Sequence, residues 1–275
     1  MTRTIALARP LAPALALPVL AWRYKKVLAA TSQIELRQKY AGSLLGSVWI
    51  ILYPLILLGI YLFLYLVIFK MRFPGYSELN YVVFVFSGLI PYLFLMESLG
   101  RGAVIIRENM HLLRNVIVPP ELVVVRLVLV AMMGQVVSFA VLLALIALDG
   151  DFTWRILFLP VVLLFAVAFL VGITFFVASL GAIFSDVSSI INLLLLFLLF
   201  VSPLAFQRSM VPANLQLIVD LNPLTYFFEA FRWTLLNSYP ASALRVLVFP
   251  ILSLAVYAAG TAFFRNFKGL MVDHV

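Results

Sequence analysis

The sequence predicts an all-α integral membrane protein, and three observations support this prediction. Hydrophobic residues make up 65% of the 275 residues and charged residues only 11%, well below the roughly 25% charge of a typical soluble domain. The apolar residues are gathered into long runs that carry almost no charge. These runs lack the period of two that a membrane β-barrel requires, so helices are expected.

Six apolar runs are close to or above the roughly 20 residues that a helix needs to cross a bilayer. They comprise residues 44–69, 81–100, 122–148, 156–184, 187–206 and 246–264. The sequence therefore predicts six transmembrane helices within a single membrane domain that covers residues 1–275.

Lysine and arginine residues are concentrated on one side of the predicted spans. Thirteen of the 19 lie before the first span, between the second and third spans or at the start of the third, or after the last span. Cytoplasmic segments of membrane proteins carry this excess, so both termini are predicted to be cytoplasmic. The net charge of +8 is then a signal of topology, and nucleic acid is not expected as a partner.

The region before the first span divides into two predicted parts. Residues 1–21 contain three prolines, which disfavour a helix, and are predicted to form a loosely ordered cytoplasmic leader. Residues 22–41 mix aromatic residues with cations and contain no helix breaker. These residues are predicted to form an interfacial helix that lies along the membrane surface, in contact with the membrane lipids, with Trp22 and Tyr24 at the depth of the headgroups.

Small residues mark the beginning of the first span. Gly42 and Gly46 are four residues apart, with a serine directly after each. Such spacing allows the backbones of two transmembrane helices to approach closely. Gly42 and Gly46 are therefore predicted to form a helix-packing site.

Two stretches resemble sequence elements of a known family. The run LRQKYAGSLLGSVWIILYPL, residues 36–55, is similar to the start of the first span in permease subunits of type-2 ABC exporters of the polysaccharide branch, although Lys39 stands where arginine is usual. The run LNPLTYFFEAFRWTLL, residues 221–236, resembles the N-P-[LM]-x-x-x-x-[DE]-x-x-R element before the last span. The length, the six predicted spans and the short final tail agree with this resemblance.

The resemblance implies a transport subunit, not an enzyme, in the inner (plasma) membrane of a bacterial cell. The expected cargo is a lipid-linked polysaccharide, first an O-antigen and next a capsular polysaccharide or teichoic acid. A small-molecule or drug exporter of the same superfamily is an alternative. A membrane glycosyltransferase would need carboxylates at the membrane face, and the close pair Asp149 and Asp151 instead lies in a predicted tight turn.

The energy source is expected on another polypeptide. None of the 13 glycines is followed by lysine, so the chain has no G-x-x-x-x-G-K-[ST] phosphate-binding loop. ATP and Mg are therefore expected on a nucleotide-binding subunit, and this chain is expected to bind no cofactor. With two histidines and no cysteine, it is expected to bind no metal. The resemblance implies two ATPase subunits on a homodimer of this chain, because six helices enclose too little for a sugar chain.

The connection between the second and third predicted spans is the candidate surface for the ATPase. Its residues could form a short helix that ends at a pair of prolines, and the resemblance implies that this is the coupling helix. A plain amphipathic connector is the alternative. The candidate coupling residues are Glu108, Met110, Leu112, Leu113 and Arg114.

Aromatic residues on the first and fifth predicted spans are candidates for the wall of a substrate channel. Tyrosine and tryptophan can stack on sugar C–H faces while their polar atoms meet sugar hydroxyls. Anchoring at the membrane interface and ordinary helix packing are the alternatives. The candidates are Trp49, Tyr53, Tyr61 and Tyr65, followed by the weaker Phe197 and Phe200.

The segment between the fifth and sixth predicted spans is too polar to be a span. Pro212 and Pro223 are placed to begin two short helices, and the resemblance implies that these re-entrant periplasmic helices gate the exit. Glu229 is expected to pair with Arg232, and Glu97 is expected to pair with Arg101 or Arg126. The candidate gate residues are Asn222, Pro223, Tyr226, Glu229 and Arg232.

Overall fold

A computed structural model describes residues 13–39, 41–68, 70, 77–110, 119–237, 239–240 and 242–273, and all regular elements in these ranges are helical. In chain order they are α1 (Pro13–Arg23), α2 (Lys25–Lys39), α3 (Trp49–Leu62), α4 (Glu78–Gly102), α5 (Ile105–Glu108), α6 (Pro120–Asp149), α7 (Leu159–Ile183), α8 (Val187–Val201), α9 (Gln216–Leu221), α10 (Pro223–Leu235) and α11 (Ala243–Asp273). A 3₁₀ turn leads into each of α3, α7 and α9, and the π-helical segment Phe63–Ile68 extends α3.

Within the described ranges, four helices are long and apolar enough to cross a membrane. They are Glu78–Gly102, Pro120–Asp149, Trp154–Ile183 and Ala243–Lys268. The first and fifth predicted spans are shorter apolar helices, Gly46–Leu62 and Val187–Val201. The prediction of an all-helical membrane protein is confirmed to this extent.

The fifth predicted span ends five residues earlier than expected. Helix α8 stops at Val201, and Ser202 adopts an extended backbone with φ −79° and ψ 148°. Ser202 precedes Pro203, whose ring disfavours the helical conformation in the residue before it. The backbone carbonyls that follow are thereby released from the helix and become available to other donors.

The N-terminal prediction is wrong from Pro13 onward, because α1 is a helix where a loose leader was expected. Pro18 lies inside α1 and has no N–H group for the carbonyl of Ala14, four residues earlier. That carbonyl instead accepts a hydrogen bond of 3.0 Å from the Tyr257 hydroxyl of α11. A contact from a distant helix therefore compensates for the proline. Residues 1–12 of the predicted leader lie outside the described residues.

The predicted interfacial helix is divided between two elements. Helix α1 ends at Arg23 and α2 begins at Lys25. Helix α2 packs on α6, and its Leu28 and Ser32 are buried. One side of helix α2 is therefore packed on the bundle, and its other side is exposed.

Helix α4 is at the centre of the bundle and is buried along most of its length. Helices α7 and α11 form the most extensive helix pair. They cross at Gly172 and Gly260, where a Cβ atom built on Gly260 would lie 2.0 Å from the carbonyl oxygen of Gly172. These two glycines allow the backbones of α7 and α11 to meet at this crossing.

Gly42 and Gly46 do not act as the sequence predicts. They lie in and just after a turn before α3, with φ +79° and +50°, and a Cβ atom on either would meet nothing within 4 Å among the described residues. Positive φ is the conformation that glycine adopts most readily. Their role in the described chain is to turn the backbone, and no helix packs against them there.

We expect Gly260→Ala to lower the melting temperature of the purified protein, because the new methyl group would overlap the Gly172 carbonyl. Overpacking of this kind costs about 1–3 kcal/mol. Gly59→Ala is the matched control, since its Cβ would meet nothing within 4 Å of the described chain, and it should leave the melting temperature unchanged or raise it. Equal melting of the two variants would contradict the assigned crossing point.

Candidate functional site

A cavity of about 470 Å³ lies between α3, α4 and α6, next to the end of α2. Most of its wall is apolar, and a few polar side chains reach it. The lining residues are Lys39, Ser43, Trp49, Ile50, Tyr53, Pro54, Leu93, Met96, Glu97, Gly134 and Gln135. A pocket with apolar walls and a few convergent polar groups is the usual form of a small-ligand site.

Two of the predicted channel aromatics line this cavity together. Trp49 and Tyr53 lie one helical turn apart on α3, and the Trp49 indole N–H donates to the Ser43 hydroxyl over 3.0 Å. Tyr53 is 46% exposed. The cavity therefore offers an aromatic surface that remains open to a ligand.

Among the side chains that the structure describes, the other predicted aromatics do not line this cavity. Tyr61 is buried in the bundle, and the side chain of Tyr65 lies outside the described residues. Phe197 and Phe200 are exposed on the outer side of α8. The stripe drifts around α3 because steps of four and eight residues do not match the 3.6-residue turn.

Sequence reasoning missed Gln135 as a lining residue. Its side chain is 8% exposed, and its Oε1 atom has no hydrogen-bond partner in the described part of the chain. Burying such an acceptor without a partner is unfavourable. The sequence feature that could have identified Gln135 is its lone side-chain amide in the middle of the third predicted span. Polar residues within membrane-spanning segments are often functional.

The expected partners of Glu97 are wrong. Lys39 Nζ of α2 lies 2.6 Å from Glu97 Oε1. Arg101 and Arg126 instead contact Glu35 of α2, at 2.9 Å and 2.8 Å from its two carboxylate oxygens. Helix α2 therefore supplies one charge to each of two ion-pair groups in the bundle.

The same network reaches the candidate coupling segment. Asn109 follows α5, and its side-chain oxygen accepts a hydrogen bond of 2.9 Å from Arg126. Of the predicted coupling residues, Glu108 ends α5 and Met110 packs partly against the core. Leu112, Leu113 and Arg114 lie outside the described residues.

The segment between α8 and α11 contains the two short helices that were expected there. Pro212 precedes the 3₁₀ turn that leads into α9, and Pro223 is the first residue of α10. Asn222 caps α10 by accepting from the backbone N–H of Leu224, and its amide donates to the Ser202 hydroxyl. Proline is well suited to the first helical position, because its missing N–H would be unpaired there.

Arg232 of α10 is 1% exposed, and its guanidinium donates to the carbonyls of Pro203 and Leu204. The guanidinium carbon also lies 3.8 Å from the centroid of the Phe84 ring in α4. A Cβ atom on Gly88 would come within 2.8 Å of this guanidinium, so glycine leaves room for it. The carbonyls released where α8 ends thus hold the arginine.

Glu229 has a different partner from the one expected. Its carboxylate accepts from Arg245 at the beginning of α11 and from the backbone N–H of Ser242. Tyr226 donates to the backbone carbonyl of Asp220 over 2.8 Å. These contacts attach α10 to α9 and α11.

Asp220 is the most highly connected carboxylate in this segment. Arg208 donates to its two oxygens over 2.7 Å and 2.6 Å, and Arg245 donates over 3.1 Å. The hydrogen bonds from Arg208, together with the charges of Arg208 and Arg245, hold the pKa of Asp220 below its usual value. The same pairing raises the pKa of Arg208.

The long apolar helices and the ion pairs that join α2 to α4 and α6 define a helical, multi-pass membrane protein. A family model described as ABC-2 type transporter matches residues 27–236. The chain belongs to the ABC-2 type transporter family and is a multi-pass permease, a transport subunit and not a catalytic one. Permeases of this family work with an ATPase subunit.

Several curated proteins are similar to this chain. The O-antigen export system permease protein RfbA of Myxococcus xanthus is 28% identical over 77% of this chain and 80% of the relative. RfbA of Klebsiella pneumoniae is 21% identical over 77% and 80%. The polysialic acid transport protein KpsM of Escherichia coli is 24% identical over 86% and 92%.

Glu35→Gln should lower the melting temperature strongly, because Arg101 and Arg126 would lose their shared counter-charge. Removing one partner of a buried ion pair costs roughly 3–5 kcal/mol of folding stability. The Glu35 side chain is 14% exposed, so its loss should cost an amount near the lower end of that range. Glu78→Gln at the exposed start of α4 is the matched control. A melting temperature equal to that of the control would contradict the assigned network.

The Asp220 contacts should make stability depend on pH in the acidic range. A carboxyl whose pKa is lowered on folding stabilises the fold above its unfolded pKa of about 4, and this contribution is lost as the pH falls towards the folded pKa. The Asp220→Asn variant should therefore have a lower melting temperature than wild type at pH 7. The difference between the two melting temperatures should become smaller as the pH falls towards 3. Asp186→Asn, an exposed carboxylate, should show no such pattern, and a constant difference for Asp220→Asn would contradict the assignment.

Proposed function

We propose that this chain is the membrane-spanning subunit of an ATP-driven exporter of a lipid-linked polysaccharide, with an O-antigen as the favoured cargo. The similarity to an O-antigen export permease over 77% of the chain carries this proposal. The aromatic cavity supports it, since Trp49 and Tyr53 present ring faces and polar atoms of the kind that bind sugars. Weak contacts of this type suit a polymer that must slide.

Export of a capsular polysaccharide is the second candidate. The similarity to a polysialic acid transport protein supports it, because that match extends over 86% of the chain. Its identity is 24%, compared with 28% for the O-antigen permease. Both candidate cargoes would contact the same aromatic surface. The two proposals differ in the identity of the sugar and of its lipid carrier.

The proposed topology places six helices across the inner membrane with both termini in the cytoplasm. Four long apolar helices support it, together with α3 extended to Ile68 and the shorter α8. The distribution of lysine and arginine favours this orientation. In this topology the cavity beside Lys39 opens towards the cytoplasm, and α9 and α10 lie at the periplasmic end.

The functional unit is proposed to be a homodimer with two ATPase subunits, which bind ATP and Mg. Apolar side chains on α3 and α8 are widely exposed, including Ile60, Leu193 and Phe197. Two such surfaces could enclose a path between protomers, which would place Phe197 and Phe200 along it. The segment that contains Glu108 and Met110 is the proposed contact with the ATPase.

The proposal is tested by reconstituting this chain with its ATPase in vesicles and measuring ATP-dependent movement of a lipid-linked glycan. Trp49→Ala and Tyr53→Ala should each reduce transport by roughly two- to tenfold, because one aromatic contact contributes about 0.5–1.5 kcal/mol. Trp154→Ala, an exposed tryptophan outside the cavity, is the control. Supplying O-antigen and capsular glycans in parallel separates the two candidates. Transport by this chain without the ATPase, or full transport by both cavity variants, would contradict the proposal.

A further inference from the structure

A second, separate opening lies between the N-terminal helices and α6. It is an open groove of about 570 Å³ whose walls are almost entirely apolar. The α2 wall places Leu28, Ala29 and Ser32 on one side of the helix, and Met132 and Met133 of α6 form the opposite wall. Flexible methionine side chains adapt readily to an irregular apolar ligand.

Positive charge is concentrated beside this groove, where α1 meets α2. Arg23, Lys25 and Lys26 are exposed where α1 ends and α2 begins, and none of the ion pairs among the described residues includes them. Lys25 Nζ lies 3.7 Å from the centroid of the Trp22 ring, which is itself 72% exposed. The groove therefore combines an apolar trough with a cationic rim and an exposed aromatic side chain.

Ser32 adds a polar group to the groove. It is 2% exposed, and its hydroxyl has no hydrogen-bond partner within the described ranges. Neighbouring Thr31 shows the usual alternative, because its hydroxyl donates to the carbonyl of Val27 four residues earlier. A buried hydroxyl without a partner is unfavourable.

We propose that this groove is a discrete binding site for one anionic phospholipid. An acyl chain occupies the trough between α2 and α6, and the phosphate lies at Lys25 and Lys26. An apolar groove on a membrane protein is filled by hydrocarbon, and exposed lysines near the membrane surface attract anionic headgroups. The combination distinguishes this site from general contact with bilayer lipid, which needs neither a trough nor a localised charge.

The position of the site gives the lipid a specific consequence. Helix α2 also carries Glu35, which contacts Arg101 and Arg126, and Lys39, which contacts Glu97 at the cavity. A lipid held between α2 and α6 therefore fixes the spacing of the two helices that the Glu35–Arg126 ion pair joins. Its effect would be on the arrangement of the cavity entrance and would not involve the substrate contacts themselves.

The test is native mass spectrometry of the full-length protein, purified in mild detergent and equilibrated with phosphatidylglycerol or phosphatidylcholine. Wild-type protein should retain one phosphatidylglycerol per protomer in preference to phosphatidylcholine. Ala29→Phe should fill the trough and abolish retention. Lys25→Ala/Lys26→Ala should weaken retention of phosphatidylglycerol by roughly tenfold, because each lysine near an anionic lipid contributes about a few-fold in affinity.

Ala30→Phe is the matched control, since Ala30 is exposed on the adjacent position of α2 and does not line the groove. It should retain phosphatidylglycerol as wild type does. Equal retention of the two lipids by wild type, or equal behaviour of Ala29→Phe and Ala30→Phe, would overturn the proposal. Failure of wild type to retain any lipid would also overturn it.

Discussion

Charged side chains inside an apolar bundle must each be neutralised or hydrogen-bonded, and the arrangement of the helices depends on this requirement. An unpaired charge at the centre of a membrane helix costs about 2.5–3.5 kcal/mol on insertion scales. Near the C-terminal end of α4, Glu97 and Arg101 obtain partners from α2. Beside the N-terminal half of α4, Arg232 of α10 donates to backbone carbonyls of the segment after α8 and lies over the Phe84 ring of α4. Charged side chains of α2 and α10, which are distant from α4 in the sequence, therefore lie against its two ends.

The unwound end of α8 illustrates how one constraint creates another. Pro203 prevents Ser202 from continuing the helix, which releases the carbonyls of Pro203 and Leu204. A buried carbonyl requires a donor, and Arg232 supplies one to each. The guanidinium then needs space beside α4, and glycine at position 88 provides it. The position of α10 follows from this series of requirements.

Features that depend on local sequence could be predicted, and features that depend on distant contacts could not. The apolar runs and the helix starts at Pro212 and Pro223 follow from neighbouring residues, and they agree with the structure. The helix through Pro18 depends on Tyr257, which is 239 residues away. In the same way, spacing along α4 favoured Glu97 with Arg101, but α2 brings Lys39 from 58 residues away. Trp49 and Tyr53 lie within one turn of the same helix, and the sequence predicted both as lining residues. Gln135 reaches the same cavity from another helix, and the sequence did not predict it.

Helix α2 connects the two ends of the proposed transport mechanism. Asn109 beside α5 accepts from Arg126, Arg126 contacts Glu35, and Lys39 one turn further along α2 contacts Glu97 at the cavity. A rigid helix transmits a displacement along its axis, whereas a flexible segment would absorb it. If the segment after α5 is moved by an ATPase, this chain of polar contacts through α2 offers a route to the cavity. The N-terminal helices then have a mechanical reason to be packed on the bundle, since a helix lying free on the membrane surface would hold neither Glu35 nor Lys39 in place.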